Sequence, residues 1–258
     1  MTQQQRNPEL VSLLTADFVH KREAAYLWGI VPGAHLMLPR LRAFWPLGPD
    51  TDEPKIVDVS GGNHLDLNGD IDFAPYGLAP TLGFDGTSTY LNQGTANPDF
   101  AVATSYTCGG WWYIGNATAT LISVYATAAK GWRLYIDGSG RAGLGASSDG
   151  TAEATVTNDI NLLGGWHFIA GRYIAGTGSS LAVFVDGEFS TTGAPAAINV
   201  PDVGVAVGAE GDGANKLLGR ASLVWFCNHA LSDTHLRTLY QLGSALFGVN
   251  PVLSSRSA

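Results

Sequence analysis

The chain has 258 residues, with 33 Gly and 12 Pro but only 14% charged residues and four lysines (Lys21, Lys55, Lys130 and Lys216). That composition excludes a long charged coiled coil and a charge-driven disordered chain, and it predicts a turn-rich all-β sandwich or barrel. The net charge of −8 excludes a nucleic-acid-binding face; residues 1–42 carry +2 and the remainder −10, so the two parts are expected to differ in role.

The start, Met1 to Arg6, is polar, and Asp17, Lys21, Arg22 and Glu23 interrupt the apolar residues that follow, so no secretory signal is read there. Asn7-Pro8-Glu9 is a helix start: Asn as N-cap, Pro at the first helical position, Glu at the positive end of the dipole. Leu10, Leu13, Leu14 and Phe18 recur at helical spacing until Gly29 and Pro32 end the pattern. Such a helix cannot bury its own stripe, so residues 1–40 are expected to form an anchoring arm. The stretch from Ala24 to Leu38 is short and broken by Pro32 and Gly33, and no membrane insertion is expected.

From Leu41 the pattern changes to period two. Tyr106, Cys108, Trp112 and Ile114 alternate against Trp111 and Tyr113, with Gly109-Gly110 marking a bulge or a close approach. Trp132, Leu134 and Ile136 share a face, as do Trp166, Phe168 and Ala170, then Leu181, Val183 and Val185, then Val203, Val205 and Val207. Asp85-Gly86, Asp137-Gly138, Asp149-Gly150, Asp186-Gly187 and Asp212-Gly213 supply turns, because Gly takes positive φ without strain. About a dozen strands in two stacked antiparallel sheets are predicted. Ser232 caps a last helix with the buried stripe Leu236, Leu239 and Tyr240; Leu231 can staple against Leu236, and Gly243 is read as its stop. Cys108 and Cys227 lie in apolar runs and read as buried free thiols.

Several segments recur in a familiar order: Phe44-Trp45-Pro46-Leu47, Val57-Asp58-Val59-Ser60-Gly61-Gly62-Asn63, Leu67-Asn68-Gly69, Leu82-Gly83-Phe84-Asp85-Gly86, Gly165-Trp166-His167-Phe168-Ile169-Ala170, Val183-Phe184-Val185-Asp186-Gly187 and Asn228-His229-Ala230-Leu231-Ser232-Asp233. Over residues 41–243 the chain resembles the laminin-G-like members of the concanavalin A-like lectin and glucanase superfamily. The resemblance implies a two-sheet jelly-roll sandwich over residues 41–245, followed by a C-terminal tail over 246–258. It implies core positions for Trp45, Trp112, Trp132 and Trp166 and a structural role for His167. It also implies Glu where His235 stands, so the reciprocal half of the capping box is missing. The fold hosts many functions and decides none by itself.

Retaining sugar hydrolysis needs two carboxyl groups about 5 Å apart. The six glutamates (Glu9, Glu23, Glu53, Glu153, Glu188 and Glu210) form no Glu-x-Asp-x-(x)-Glu strand of the kind that the laminarinase-type relatives carry, and Asp70-Ile71-Asp72 has no third acid. An enzyme is not expected. Calcium needs several oxygen ligands. Where the resemblance implies two acids in the late strand, Ser222 and Leu223 stand, which leaves Asp58, Asp85 and Asp99 as weak candidate donors and no cofactor expected. There is no nucleophile elbow, and Gly138-Ser139-Gly140 and Gly143-x-Gly145 read as hairpin material. Trp111 and Trp225 remain as candidate carbohydrate-stacking rings, and Trp225, where relatives carry Arg, is placed outward.

The expected function is a non-enzymatic structural protein. The setting is a bacteriophage virion component, a head-decoration or tail-associated subunit made in the host cytoplasm. Leu10, Leu13, Leu14, Phe18, Trp28 and Trp225 would contact other virion proteins or copies of the chain. The alternative is a carbohydrate-binding adhesion module that recognises a cell-surface glycan.

Overall fold

The computed structural model describes residues 40–249 except 48–54, 71, 77–78, 101, 103, 196 and 248. The expected arm, with Leu10, Leu13, Leu14, Phe18 and Trp28, lies outside the described residues, as do residues 250–258.

Sixteen strands and one helix are found among the described residues, in two eight-stranded sheets. Strands are numbered in chain order. The first sheet runs β14 (Glu188–Gly193), β13 (Ser180–Val185), β12 (Trp166–Ile174), β7 (Tyr106–Ile114), β16 (Leu218–Cys227), β5 (Ala79–Asp85) and β4 (Asp72–Tyr76), and β1 (Leu41–Trp45) also pairs with β16. The second runs β11 (Ala154–Thr157), β10 (Ala142–Ala146), β9 (Ala129–Ile136), β8 (Ala119–Ala126), β15 (Ala206–Val207), β6 (Tyr90–Asn92), β3 (Leu65–Asn68) and β2 (Lys55–Ile56). All pairings are antiparallel, as the alternating pattern requires.

The inner faces interlock as the period-two reading predicts. Tyr106, Cys108, Trp112 and Ile114 join Trp132, Leu134, Ile136, Leu181, Val183 and Val185 in one buried cluster. Tyr106, Trp132 and Phe226 stack at its centre, with ring centroids 4.9–5.7 Å apart. Asp186 (φ 47) and Gly187 (φ 107) turn β13 into β14. The Asp186 carboxylate accepts the Phe168 N–H at 2.8 Å and lies 2.6 Å from His167 Nδ1, so His167 braces this hairpin.

A second cluster lies on the outer side of the first sheet. Helix α1 (Asp233–Phe247) covers it, burying Leu236, Tyr240 and Phe247 against Trp111, Trp166, Phe168, Phe184 and Trp225. Ser232 caps α1 through the His235 N–H (3.3 Å), and Arg172 ties the entry by bonding the Leu231 carbonyl and the Asp233 carboxylate. The helix does not stop at Gly243. A Cβ there would lie 2.2 Å from Trp111 Nε1, so this glycine lets the helix backbone sit on the indole, and α1 runs on until Phe247 stacks on Trp111 at 4.5 Å. Packing energy outweighs the helix-breaking tendency of one glycine, about 1 kcal/mol, since each buried aromatic contributes roughly 1.5–3 kcal/mol.

Gly109-Gly110 is a close approach; the bulge is on the partner strand. A Cβ at Gly109 would meet the Ala170 Cβ at 2.8 Å, and one at Gly110 would meet Val224. Opposite them β16 gains one residue between Ser222 and Trp225, with Leu223 at φ 50. The extra residue inverts the alternation, so Val224 and Phe226 point into the sandwich and Trp225 points toward α1.

Candidate functional site

The outer face of the second sheet is different in kind from that of the first. The strand registers place Lys55, Asp66, Asn92, Ala206, Ser123, Arg133, Gly145 and Thr155 in one row across all eight strands. Their chain neighbours Ile56, Leu65, Leu91, Val207, Val124, Leu134, Leu144 and Val156 fill the core, so the row faces away from it. Among the described residues no helix covers this face.

Arg133 is the centre of the row. Its guanidinium lies 4.5 Å from the Tyr125 ring centroid and 4.7 Å from that of Tyr135. Nε and one terminal nitrogen donate to the two Glu153 oxygens at 2.9 and 2.8 Å, and the other terminal nitrogen donates to Glu210 at 2.8 Å. Glu210 is 1% exposed, and Asn215 Nδ2 donates to its carboxylate at 2.7 Å. Burial opposes the Arg133 charge, and the hydrogen bonds and charges of its carboxylate partners outweigh that and raise its pKa. Burial also pushes the Tyr125 phenol up to about 12 and raises that of Tyr135, so both rings are neutral.

Gly143 and Gly145 belong to this arrangement, not to a hairpin. They lie within β10, where a Cβ at Gly143 would fall 2.6 Å from the Tyr135 ring and one at Gly145 1.9 Å from Glu153 Oε1. Bare backbone there lets Tyr135 and Glu153 lie flat across the sheet. Gly138-Ser139-Gly140 is the hairpin, with Gly140 at φ 76 and its N–H donating to the Asp137 carbonyl at 3.0 Å.

Beside Arg133 a cleft of about 240 Å³ opens between Thr118, Thr120, Tyr135, Asp137 and Asn215. Thr118 (φ 58) and Asn215 (φ 48) hold left-handed backbone at its rim, and the Thr120 N–H donates to the Asn215 carbonyl at 2.7 Å. Thr120 is fully buried, and its hydroxyl has no hydrogen-bond partner among the described residues.

The residues singled out in the sequence fall elsewhere. Trp225 is 3% exposed and Trp111 2%, both under α1, so neither is an outward stacking ring or a contact surface. Their strand parity gives the correct face, but the helix seals it. Asp58 is fully buried, and its carboxylate accepts the Phe44, Ser60 and Asn63 N–H groups and the Ser60 hydroxyl at 2.7–3.1 Å. Asp99 accepts Asn63 Nδ2 at 3.1 Å and faces Arg42 at 3.8 Å. Asp85 stands apart and holds the Thr87–Thr89 turn through five hydrogen bonds. Each carboxylate is thus engaged with donors of the protein, and among the described residues no three His, Cys, Asp or Glu side chains converge as metal ligands. Ser222 donates its hydroxyl to the Pro80 carbonyl at 2.6 Å. A second groove, about 380 Å³, lies between Asp70, Asp85, Tyr113 and Leu218, with Arg220 paired to Asp72 at its edge. Sequence reasoning missed Arg133, Tyr135, Glu153 and Glu210. The available signal was the polar pair Arg133 and Tyr135 alternating with Trp132 and Leu134, opposite a Gly-x-Gly strand.

Residues 85–237 match the laminin-G-like profile described as the concanavalin A-like lectin/glucanases superfamily. No curated protein sequence matches the chain. Among solved structures the chain is similar to the receptor binding domain of botulinum neurotoxin C/D mosaic serotype, with 11% identity and a TM-score of 0.60 over 79% of this chain and 51% of that one. It is similar to the binding domain of Paraclostridial Mosquitocidal Protein 1, with 12% identity and a TM-score of 0.61 over 80% and 52%. It is also similar to the binding domain of botulinum neurotoxin DC in complex with SialylT, with 14% identity and a TM-score of 0.59 over 80% and 52%. The chain spans about half the length of these structures, and at such identities the likeness concerns the fold.

Proposed function

This chain belongs to the concanavalin A-like lectin/glucanase superfamily, and from that premise we propose that it is a glycan-binding module that uses the outer face of its second sheet. The observation that carries the reading is the asymmetry of the two outer faces. One is sealed by α1 over an apolar cluster, whereas the other presents a polar row in which the half-buried Tyr135 ring lies beside the Arg133 guanidinium, itself backed by the buried Tyr125 ring. Sugars are held by such combinations: ring C–H groups lie against aromatic rings, and hydroxyls meet polar groups whose positions are set in advance. A structure of similar fold was determined in complex with SialylT, which supports the same class of ligand.

The chemistry supports binding without hydrolysis. A glycosidase acid must hold and release a proton. Glu153 and Glu210 are instead both committed to one guanidinium, Glu153 through two parallel bonds. The structural-protein reading, with a virion as its setting, rests on the arm, which lies outside the described residues, and on Trp225, which is buried. The glycan reading is therefore preferred. A glycan array probed with the labelled full chain tests it. Binding that falls about three- to tenfold in Tyr135→Ala, the loss of one aromatic contact, is expected. An array that stays blank at high protein concentration refutes it.

A further inference from the structure

We infer that residues 10–18 dock in cis into an apolar gutter beside α1 on the first sheet, with Leu10, Leu13, Leu14 and Phe18 as the buried stripe. Helix geometry and strand order place the gutter. α1 runs along β12: Arg172 holds its start at Asp233, and Phe247 near its end lies 4.8 Å from the Trp166 ring. Its flank toward β14 carries Arg237, 5.9 Å from the Phe189 ring. Leu239 and Leu246 lie about 180–200° round the helix from Arg237, on the flank toward β16 and β1. Across from them β1 turns Leu41 and Phe44 outward, since Ala43 and Trp45 fill the inner core, and the β16 bulge presents Leu223. These five side chains border the outer cluster, and each is only partly buried.

The dimensions suit the stripe. From Leu239 to Leu246 α1 rises about 10 Å, and from Leu41 to Phe44 β1 advances about 10 Å. A helix from Leu10 to Phe18 rises about 12 Å, so one such stripe fills the gutter along its length. Apolar surface is left in water on both sides until they meet, and contact removes both from it.

The chain connection chooses the occupant. The described residues start at Arg40, whose carbonyl accepts the Asn228 N–H at 3.2 Å, so the arm joins the body at Leu41, on the gutter wall. Residues 19–39 separate the stripe from that point, and at about 3.3 Å per extended residue they reach well beyond the gutter. A tether that spans its site gives an effective concentration of about millimolar, so at micromolar protein the chain's own gutter is filled before a second copy's. Residues 250–258, which leave α1 at its far end, offer only Val252 and Leu253 as large apolar side chains. Docked in the gutter, the arm extends the roof over the first sheet and leaves the polar outer face of the second sheet open.

Hydrogen exchange of the full chain at micromolar concentration, read by mass spectrometry, tests the docking. Amides of residues 10–18 should exchange at least about tenfold more slowly in the wild type than in Leu14→Asp, which places a charge in the contact. Leu246→Ser, on the gutter wall, should speed the same amides. If Leu246→Ser also lowers protection in β7 and β12, the body itself has loosened, and Leu41→Ser on the opposite wall decides in its place. Equal exchange in the wild type and Leu14→Asp overturns the inference, as does protection that no wall substitution lowers. Protection that fades on dilution together with a dimer seen by light scattering assigns the gutter to a second copy and overturns docking in cis.

Discussion

Gly243→Ala sets helix propensity against packing. In an exposed helix this change stabilises by about 1 kcal/mol. Here the new Cβ would lie 2.2 Å from Trp111 Nε1, with two further ring atoms at 2.7 and 2.9 Å. The ring cannot swing aside, because it is 2% exposed and stacks on Phe247 at 4.5 Å and on Tyr240 at 6.0 Å. Restoring ordinary contact requires α1 and the sheet to separate by more than an ångström. Overpacking of this kind costs roughly 1–3 kcal/mol. With three ring atoms in conflict the upper part of that range applies, so after the propensity gain a net loss of about 1–2 kcal/mol remains. For a chain of this size that corresponds to about 2–8 °C in melting temperature. Thermal unfolding followed by circular dichroism measures the loss, and tryptophan emission reports the altered Trp111 environment. A melting temperature raised by Gly243→Ala would refute the close seating of α1 on Trp111.

Arg133→Met leaves Glu210, 1% exposed, without its cation, and should destabilise by on the order of 3 kcal/mol; Arg133→Met combined with Glu210→Gln should recover much of the loss in urea melts. No recovery would mean that Arg133 acts by stacking on the tyrosines and not by pairing. Backbone hydrogen bonds from Thr151 and Ala152 hold Asp149 at about 2 instead of the ordinary 3.8, and hydrogen bonds from Ser88 and Thr89 hold Asp85 well below the carboxylate range. Both are depressed in the folded state, so their stabilisation is complete above about pH 4 and is lost as pH falls through the folded values. The melting temperature should therefore fall between pH 4 and pH 2, less steeply in Asp149→Asn, and identical slopes in the two proteins would remove Asp149 from that account.

The interior of the sandwich was legible in the residues. Side-chain alternation is a local property of a strand, and the pairing of large inward residues, such as Trp112 and Trp132, with Asp-Gly turns leaves one economical arrangement. The buried stripe and Ser232 cap of the last helix were legible for the same reason. Even the side on which Trp225 lies followed from its neighbours. What covers that side did not: alternation tells inward from outward, but an outward tryptophan reads the same whether it meets water or a helix.

Only the tertiary structure decided the roles of the other telling residues. Glu153 and Glu210 lie 20 and 77 positions from Arg133, and no spacing rule reaches across loops of that length. Gly143, Gly145 and Gly243 carry the same letter as the turn glycines, yet each is required by a side chain from another element that occupies the space of its missing Cβ. The sequence by itself determined two sheets and the residues between them, because periodicity is written along the chain. Which outer face is roofed by α1 and which gathers Arg133, its tyrosines and the Thr120 cleft depended on contacts between distant segments, and those exist only once the sheets have stacked.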